Sequence, residues 1–243
     1  MLDVIAALAF GAMIAADVTI LVTVAALPFR SKVAASASAA VWVAAMSTAA
    51  ALGAFRPGLL GPVPAPAFAA LVAGSLVAWL ASPAFRDALL SVPIAALVGI
   101  NGFRIAGVLF LLLFADGRLS APFAVSAGSG DIITGITAIP IVAIAVSHRH
   151  VSRRLLAAWN AFGALDLVVA LTLAALSAPG TRFRVFTEGP GTAAMTTLPW
   201  ILAATFLVPL YFLTHFTIAA RLRLSRSAHV ARPEVALTER RTA

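Results

Sequence analysis

The stretch GINGFRIAGVLFLLLF, residues 99–114, is an apolar run with Arg104 near its middle. A guanidinium stays charged at any pH a protein meets. Holding a charge at the centre of a bilayer costs about 2.5 to 3.5 kcal/mol on insertion scales. Whether this arginine is an anomaly depends on whether its surroundings are built for lipid. Of 243 residues, 62% are hydrophobic and only 11% charged, and the mean hydropathy is +1.03. That balance is far from that of a soluble domain. Apolar runs recur that approach the roughly 20 residues needed to cross about 30 Å of hydrocarbon. No alternation of period two recurs, so the expectation is helices and not a barrel.

The predicted fold is an all-α polytopic bundle of seven spans: Val4 to Leu27, Val33 to Leu52, Ala65 to Ala81, Ser91 to Phe114, Pro122 to Val146, Leu155 to Leu176 and Pro199 to Ala220. They form one transmembrane domain, residues 1–220, followed by a basic tail, residues 221–243, expected to be solvated and largely disordered. The opening MLDVIAALAFGAMIAAD lacks a basic leader segment and carries Asp3, so the first span is expected to be retained and not cleaved. Cysteine is absent, which removes disulfides, thiolate metal sites and cysteine nucleophiles together.

Basic residues concentrate in cytoplasmic loops. The first, third and fifth loops and the tail hold twelve of them: Arg30, Lys32, Arg86, Arg149, Arg153, Arg154, Arg221, Arg223, Arg226, Arg232, Arg240 and Arg241. The remaining loops hold Arg56, Arg118, Arg182 and Arg184. Twelve against four places the N-terminus outside and the C-terminus in the cytoplasm. The formal charge of +8 then needs no nucleic acid, because the tail is suited to anionic lipid headgroups.

Asp17, Arg104, Asp131 and Asp166 fall within spans, with Asn101, Asn160 and His215 as polar companions. At about 1.5 Å of rise per residue, Arg104, Asp131 and Asp166 each lie roughly 14 to 15 Å from the outer end of their span. Asn101 and Asp17 fall about 20 Å deep, and Asn160 and His215 about 24 Å. Spacing supports a shared interior. Pro93, Leu97, Asn101, Arg104 and Gly107 follow one stripe, as do Ala127, Asp131 and Gly135, and Trp159, Gly163, Asp166 and Ala170. Small residues beside a charge let a neighbouring backbone approach closely.

One guanidinium facing two carboxylates leaves a surplus acid. In one reading Asp131 or Asp166 binds a proton reversibly, with His215, Asn160, Asn101 and Asp17 as stations toward the cytoplasm. In the other, the charges are a buried clamp tying spans four, five and six, because ion pairs are also retained for specificity.

Specific chemistries are thinly supported. Retinal needs a lysine within a span, and the one lysine, Lys32, is in a loop. Haem would want paired histidines, and His215 stands alone among the spans. A zinc site from Asp131, Asp166 and His215 is opposed by the depth of His215, about 9 Å beyond the carboxylates. AGSGD at 127–131 carries Ser129 too far from His215 for a serine protease pair. No cofactor is expected. Pro140 and Pro209 interrupt apolar spans and each frees a backbone carbonyl.

The stretches NGFRIAG (101–107), SAGSGDIITG (126–135), WNAFGALDLVVA (159–170) and PWILAATFLVPLYFLTHF (199–216) resemble a group of uncharacterised bacterial multi-spanning membrane proteins. The resemblance covers the C-terminal four spans. It implies a bacterial cytoplasmic membrane and no known activity. The function expected from the residues is proton-linked transport of a small molecule. The alternative is a non-transport binding or sensing protein with a structural polar core. An intramembrane enzyme is the weakest reading.

Overall fold

The computed structural model describes residues 1–55, 64–147 and 151–239, with side chains to 224. Arg56, Arg149 and the side chains of Arg226 and Arg232, together with Arg240 and Arg241, which entered the charge count, lie outside the described residues. Among the described residues every regular element is a helix, and seven helices are long and apolar enough to cross a membrane.

In chain order the elements are α1 (Leu2–Val24), α2 (Phe29–Ala51), α3 (Pro64–Ala81), the short α4 (Pro83–Ser91), α5 (Ile94–Ile100), a 3-10 helix (Asn101–Gly107), α6 (Val108–Ala115), α7 (Ala121–Val146), α8 (Arg153–Leu176), a second 3-10 turn (Ala193–Thr196), a π-helical turn (Ala203–Leu207) and α9 (Val208–Glu239). α5, the 3-10 segment and α6 form one continuous crossing, Ile94–Ala115. The backbone of α9 runs helically into the basic tail, where the sequence suggests disorder.

All seven predicted spans begin and end within about four residues of the observed crossings. The fourth and seventh begin later, at Ile94 and Ala203 instead of Ser91 and Pro199. Pro93 sets the first shift, since it stands as the N-cap of α5 and proline suits a helix start. Its neighbour α4 has a start signal of its own. Ser82 accepts a hydrogen bond from the Phe85 amide at 3.2 Å, with Pro83 in the first turn. The connection at residues 177–192 holds no strand; there Arg184 binds the carbonyls of Phe186, Thr187 and Gly189 in its own loop.

Contacts between loops mark two ends of the bundle. At one, Asp3 Oδ1 accepts from Arg118 at 2.9 Å and from the Trp200 indole at 2.7 Å, while the Ser120 hydroxyl accepts from the Gly191 amide at 2.8 Å. At the other, the Ala26 amide donates to Ser91, Arg221 donates to the Val92 carbonyl, and Arg153 donates to the Leu222 carbonyl.

The bundle has a centre and a rim. α2 buries no residue and α3 only Trp79, whereas α5, α6, α7 and the seventh crossing carry much of the core. α1 turns a single stripe inward: Ala6, Phe10, Met13 and Asp17. Outward-facing positions are apolar too, including Leu8, Val41, Leu80, Ile136, Ile139 and Leu165. An apolar exterior of this extent suits contact with lipid.

The peripheral α2 is fastened by a proline. Pro209 has no amide to offer, so the Thr205 carbonyl four residues earlier loses its helical partner. The Trp42 indole fills that role from α2, donating to Thr205 O at 2.8 Å. The π turn at Ala203–Leu207 ends two residues before this proline.

Candidate functional site

The arginine sits in a 3-10 helix of seven residues, longer than the three or four usual for that geometry. With three residues per turn, side chains at i and i+3 eclipse. Asn101, Arg104 and Gly107 therefore stack on one edge, and all three are buried. A 3-10 helix is also narrower than an α-helix, and α7 exploits this with glycines. A Cβ on Gly107 would lie 2.5 Å from Asp131 Cβ and 2.8 Å from the Gly128 carbonyl. One on Gly135 would lie 2.7 Å from the Ile105 amide nitrogen. Backbone meets backbone on both sides of Arg104, which brings Asp131 within direct reach.

Arg104 is 1% exposed, and four contacts use its fork of donors. Nε donates to Asp131 Oδ1 at 2.6 Å. One terminal nitrogen donates to Asp166 Oδ2. The other donates to the Gly163 carbonyl at 3.1 Å and meets His215 Nε2 at 3.2 Å. The Tyr211 ring centre lies 5.8 Å from the guanidinium carbon, within cation–π range.

Two further glycines make room for these partners. The Asp166 carboxylate occupies the space a side chain on Gly130 would fill. The His215 ring does the same over Gly163, where a Cβ would fall 2.6 Å from Cε1.

The hydrogen bonds fix the state of His215. A guanidinium only donates, so Nε2 must accept and Nδ1 carries the proton. Nδ1 then donates to Asn160 Oδ1 at 2.9 Å, and Asn160 Nδ2 donates to the His215 carbonyl at 3.2 Å. The imidazole is neutral. Arg104 thus supplies one positive charge against two carboxylates, and no other charged group touches the centre among the described residues.

Of the seven candidate residues, Arg104, Asp131, Asp166, His215 and Asn160 form one hydrogen-bonded network. Asn101 adjoins it: Nδ2 donates to Thr214 Oγ1 at 2.9 Å, and Thr214 donates to the Tyr211 carbonyl at 2.8 Å. Asp17 is fully buried on α1, and neither of its oxygens has a hydrogen-bond partner among the described residues. Asn101 Oδ1 and the Tyr211 hydroxyl are unpartnered in the same way.

The expected depth of His215 is wrong. It joins the carboxylate layer because the seventh crossing starts at Ala203, twelve residues before it, or about 18 Å. Arg104 moves to meet it: the three 3-10 steps to Gly107 rise about 2 Å each, which with α6 gives about 18 Å. Even so, Asp131, Asp166 and His215 surround a guanidinium and not an open space, and no group of three such residues among those described is placed to hold a metal ion. Tyr211, Thr214 and Gly130 were not singled out in the sequence. The signal for the first two was the spacing of Tyr211, Thr214, His215 and Ile218, a buried helical stripe.

An apolar cavity of about 260 Å³ opens beside this centre. Its wall includes Phe110, Phe123, Leu167, Ala170, Ala174 and Val208, with Thr181, Thr192 and Thr196 toward the connection after α8. Asp131 is the one charged side chain in that wall among the described residues, and its side chain is 17% exposed.

These features define a helical bundle with seven helices long and apolar enough to cross a membrane, built around a buried ion cluster. The chain belongs to the family described as Domain of unknown function (DUF8737), whose model matches residues 64–223. The match runs from α3 into α9 and so contains the whole Arg104 network, while Asp17 lies outside it. No curated protein and no solved structure matches the chain.

Proposed function

We propose that this chain is an integral protein of a bacterial cytoplasmic membrane, with its N-terminus outside, that carries a small molecule in linkage with a proton. The observation that carries this reading is the double position of Asp131. Its Oδ1 holds the buried Arg104, while its side chain also forms part of the cavity wall. Whatever occupies the cavity therefore bears on the charge balance of the Arg104 cluster. A surplus acid in a low-dielectric setting takes up a proton or another cation to reach neutrality. The orientation rests on the twelve-to-four division of basic residues, and the bacterial setting on the resemblance of four stretches to bacterial membrane proteins. The basic tail suits the anionic inner leaflet.

A second reading has an observation of its own. The guanidinium is satisfied by α7, α8 and α9 together, as a structural clamp would be, and a clamp alone requires no transport. Vesicles reconstituted with the protein and loaded with a pH-sensitive dye separate the two. Small organic cations, neutral alcohols and carboxylates are presented in turn outside. Transport predicts that at least one class drives proton movement, and that Asp131→Asn abolishes it. If no class moves protons, the transport reading fails and the clamp stands.

A further inference from the structure

We propose that the cavity beside Asp131 is a binding site for a small lipophilic organic cation, with an apolar body held among the alanines of α8 and a cationic head against the free oxygen of Asp131. This names the substrate class of the proposed carrier and so rests on that reading. Charge and shape each support it.

The charge argument is a count. Asp131 and Asp166 face one arginine, and His215 is neutral by its hydrogen bonds. With both carboxylates ionised, the cluster carries one negative charge in excess. Asp131 Oδ1 is committed to Arg104, whereas Oδ2 accepts no hydrogen bond among the described residues. An anionic ligand would meet an uncompensated carboxylate in apolar surroundings, which is costly. A neutral apolar ligand would leave the excess charge as it was. A monocation neutralises it, and entry of one positive charge displaces one proton from the same acid. The exchange is balanced.

The shape argument concerns size and lining. An apolar cavity of about 150 Å³ accepts a benzene ring, so about 260 Å³ admits a single ring with a compact head. Ala170, Ala174 and Ala178 recur at intervals of four along one side of α8 and its end, and their small side chains leave the space. Phe110 and Phe123 stand in the same wall, their ring centres 5.8 Å apart, and supply aromatic surface of the kind that favours a cation or an aromatic body.

The test uses three probes that share a phenyl ring: benzyltrimethylammonium, benzyl alcohol and benzoate. Each is titrated calorimetrically into the full-length protein in detergent. The cation is expected to bind and benzoate not to. Benzyl alcohol is expected to bind about tenfold or more weakly than the cation, as for loss of a charge-assisted contact. Asp131→Asn is expected to weaken the cation about 10- to 100-fold. Ala174→Leu fills the cavity without touching the ion cluster and is expected to abolish binding, so the test survives if the Asp131 variant fails to fold. Equal binding of benzyl alcohol or benzoate overturns the proposal, as does unchanged cation binding in Ala174→Leu. Absence of cation binding, with solute-driven proton movement intact in vesicles, rejects the ligand class and leaves proton-linked transport standing. Cation binding that depends on Asp131, with no proton movement in vesicles, rejects transport and leaves the site.

Discussion

Arg104→Met removes the charge that organises the centre while keeping a long apolar side chain. Two buried carboxylates then lose their counter-ion, and the His215 ring loses the donor that fixes its Nε2. Breaking a buried ion pair by deleting one partner costs about 3 to 5 kcal/mol. At about 2 to 4 °C per kcal/mol for a chain of this size, the melting temperature should fall by about 6 to 20 °C. The Gly163 carbonyl adds little, because it remains within the ladder of α8. Thermal unfolding in detergent, followed by tryptophan fluorescence, suits the measurement, since Trp159 lies 5.5 Å from the His215 ring. The companion variant Arg104→Met/Asp131→Asn/Asp166→Asn removes the stranded charges as well. It should regain more than half of the loss, because replacing a whole buried ion cluster by neutral groups is far less costly than halving it. A single variant that melts within about 2 °C of the parent, or a triple variant no better than the single, would refute the reasoning.

Three further outcomes follow from packing. Gly163→Ala should push the His215 ring off Arg104, at a net cost of about 0 to 2 kcal/mol once the overpacking penalty is set against the better helix propensity of alanine; it is read by thermal unfolding and by a shift in the imidazole nitrogen resonances. Asp17→Leu should stabilise the protein by about 1 to 3 kcal/mol, because it replaces a fully buried, unpartnered acid; a lower melting temperature would show that Asp17 has a partner in the folded state. Trp42→Phe should loosen α2 by about 1 to 2 kcal/mol by orphaning the Thr205 carbonyl, seen as faster amide exchange in α2 than in α7.

The ease of reading different parts of the sequence has physical causes. Span limits followed from apolar length, which the bilayer dictates directly, and they shifted at the starts of the second and fourth spans, where Pro28 and Pro93 stand as N-caps, and at Ala203. Asp131 and Asp166 were legible as candidate partners of Arg104 because charges in lipid must find partners at their own depth, but depth left open which of them pairs, and the structure pairs both. His215 was misplaced because depth was counted from Pro199 at a uniform rise, whereas the crossing starts at Ala203 and the fourth span changes pitch. That change left a trace: the stripe spacing drops from four at Pro93, Leu97 and Asn101 to three at Asn101, Arg104 and Gly107, the period of a 3-10 helix. The cavity left none. Its walls come from five separate helices and the connections after α2 and α8, and a void between helices has no sequence period.

The central claim is that the two carboxylates sharing Arg104 hold one exchangeable proton. Infrared difference spectra of the full-length protein in lipid, recorded as pH is stepped, test it most directly through the carbonyl stretch of a protonated carboxyl. The account predicts that, among the bands of the chain's nine acids, one that titrates reversibly in the parent is lost or displaced in Asp131→Asn or Asp166→Asn. Titrating bands that are the same in the parent and in both variants would contradict it.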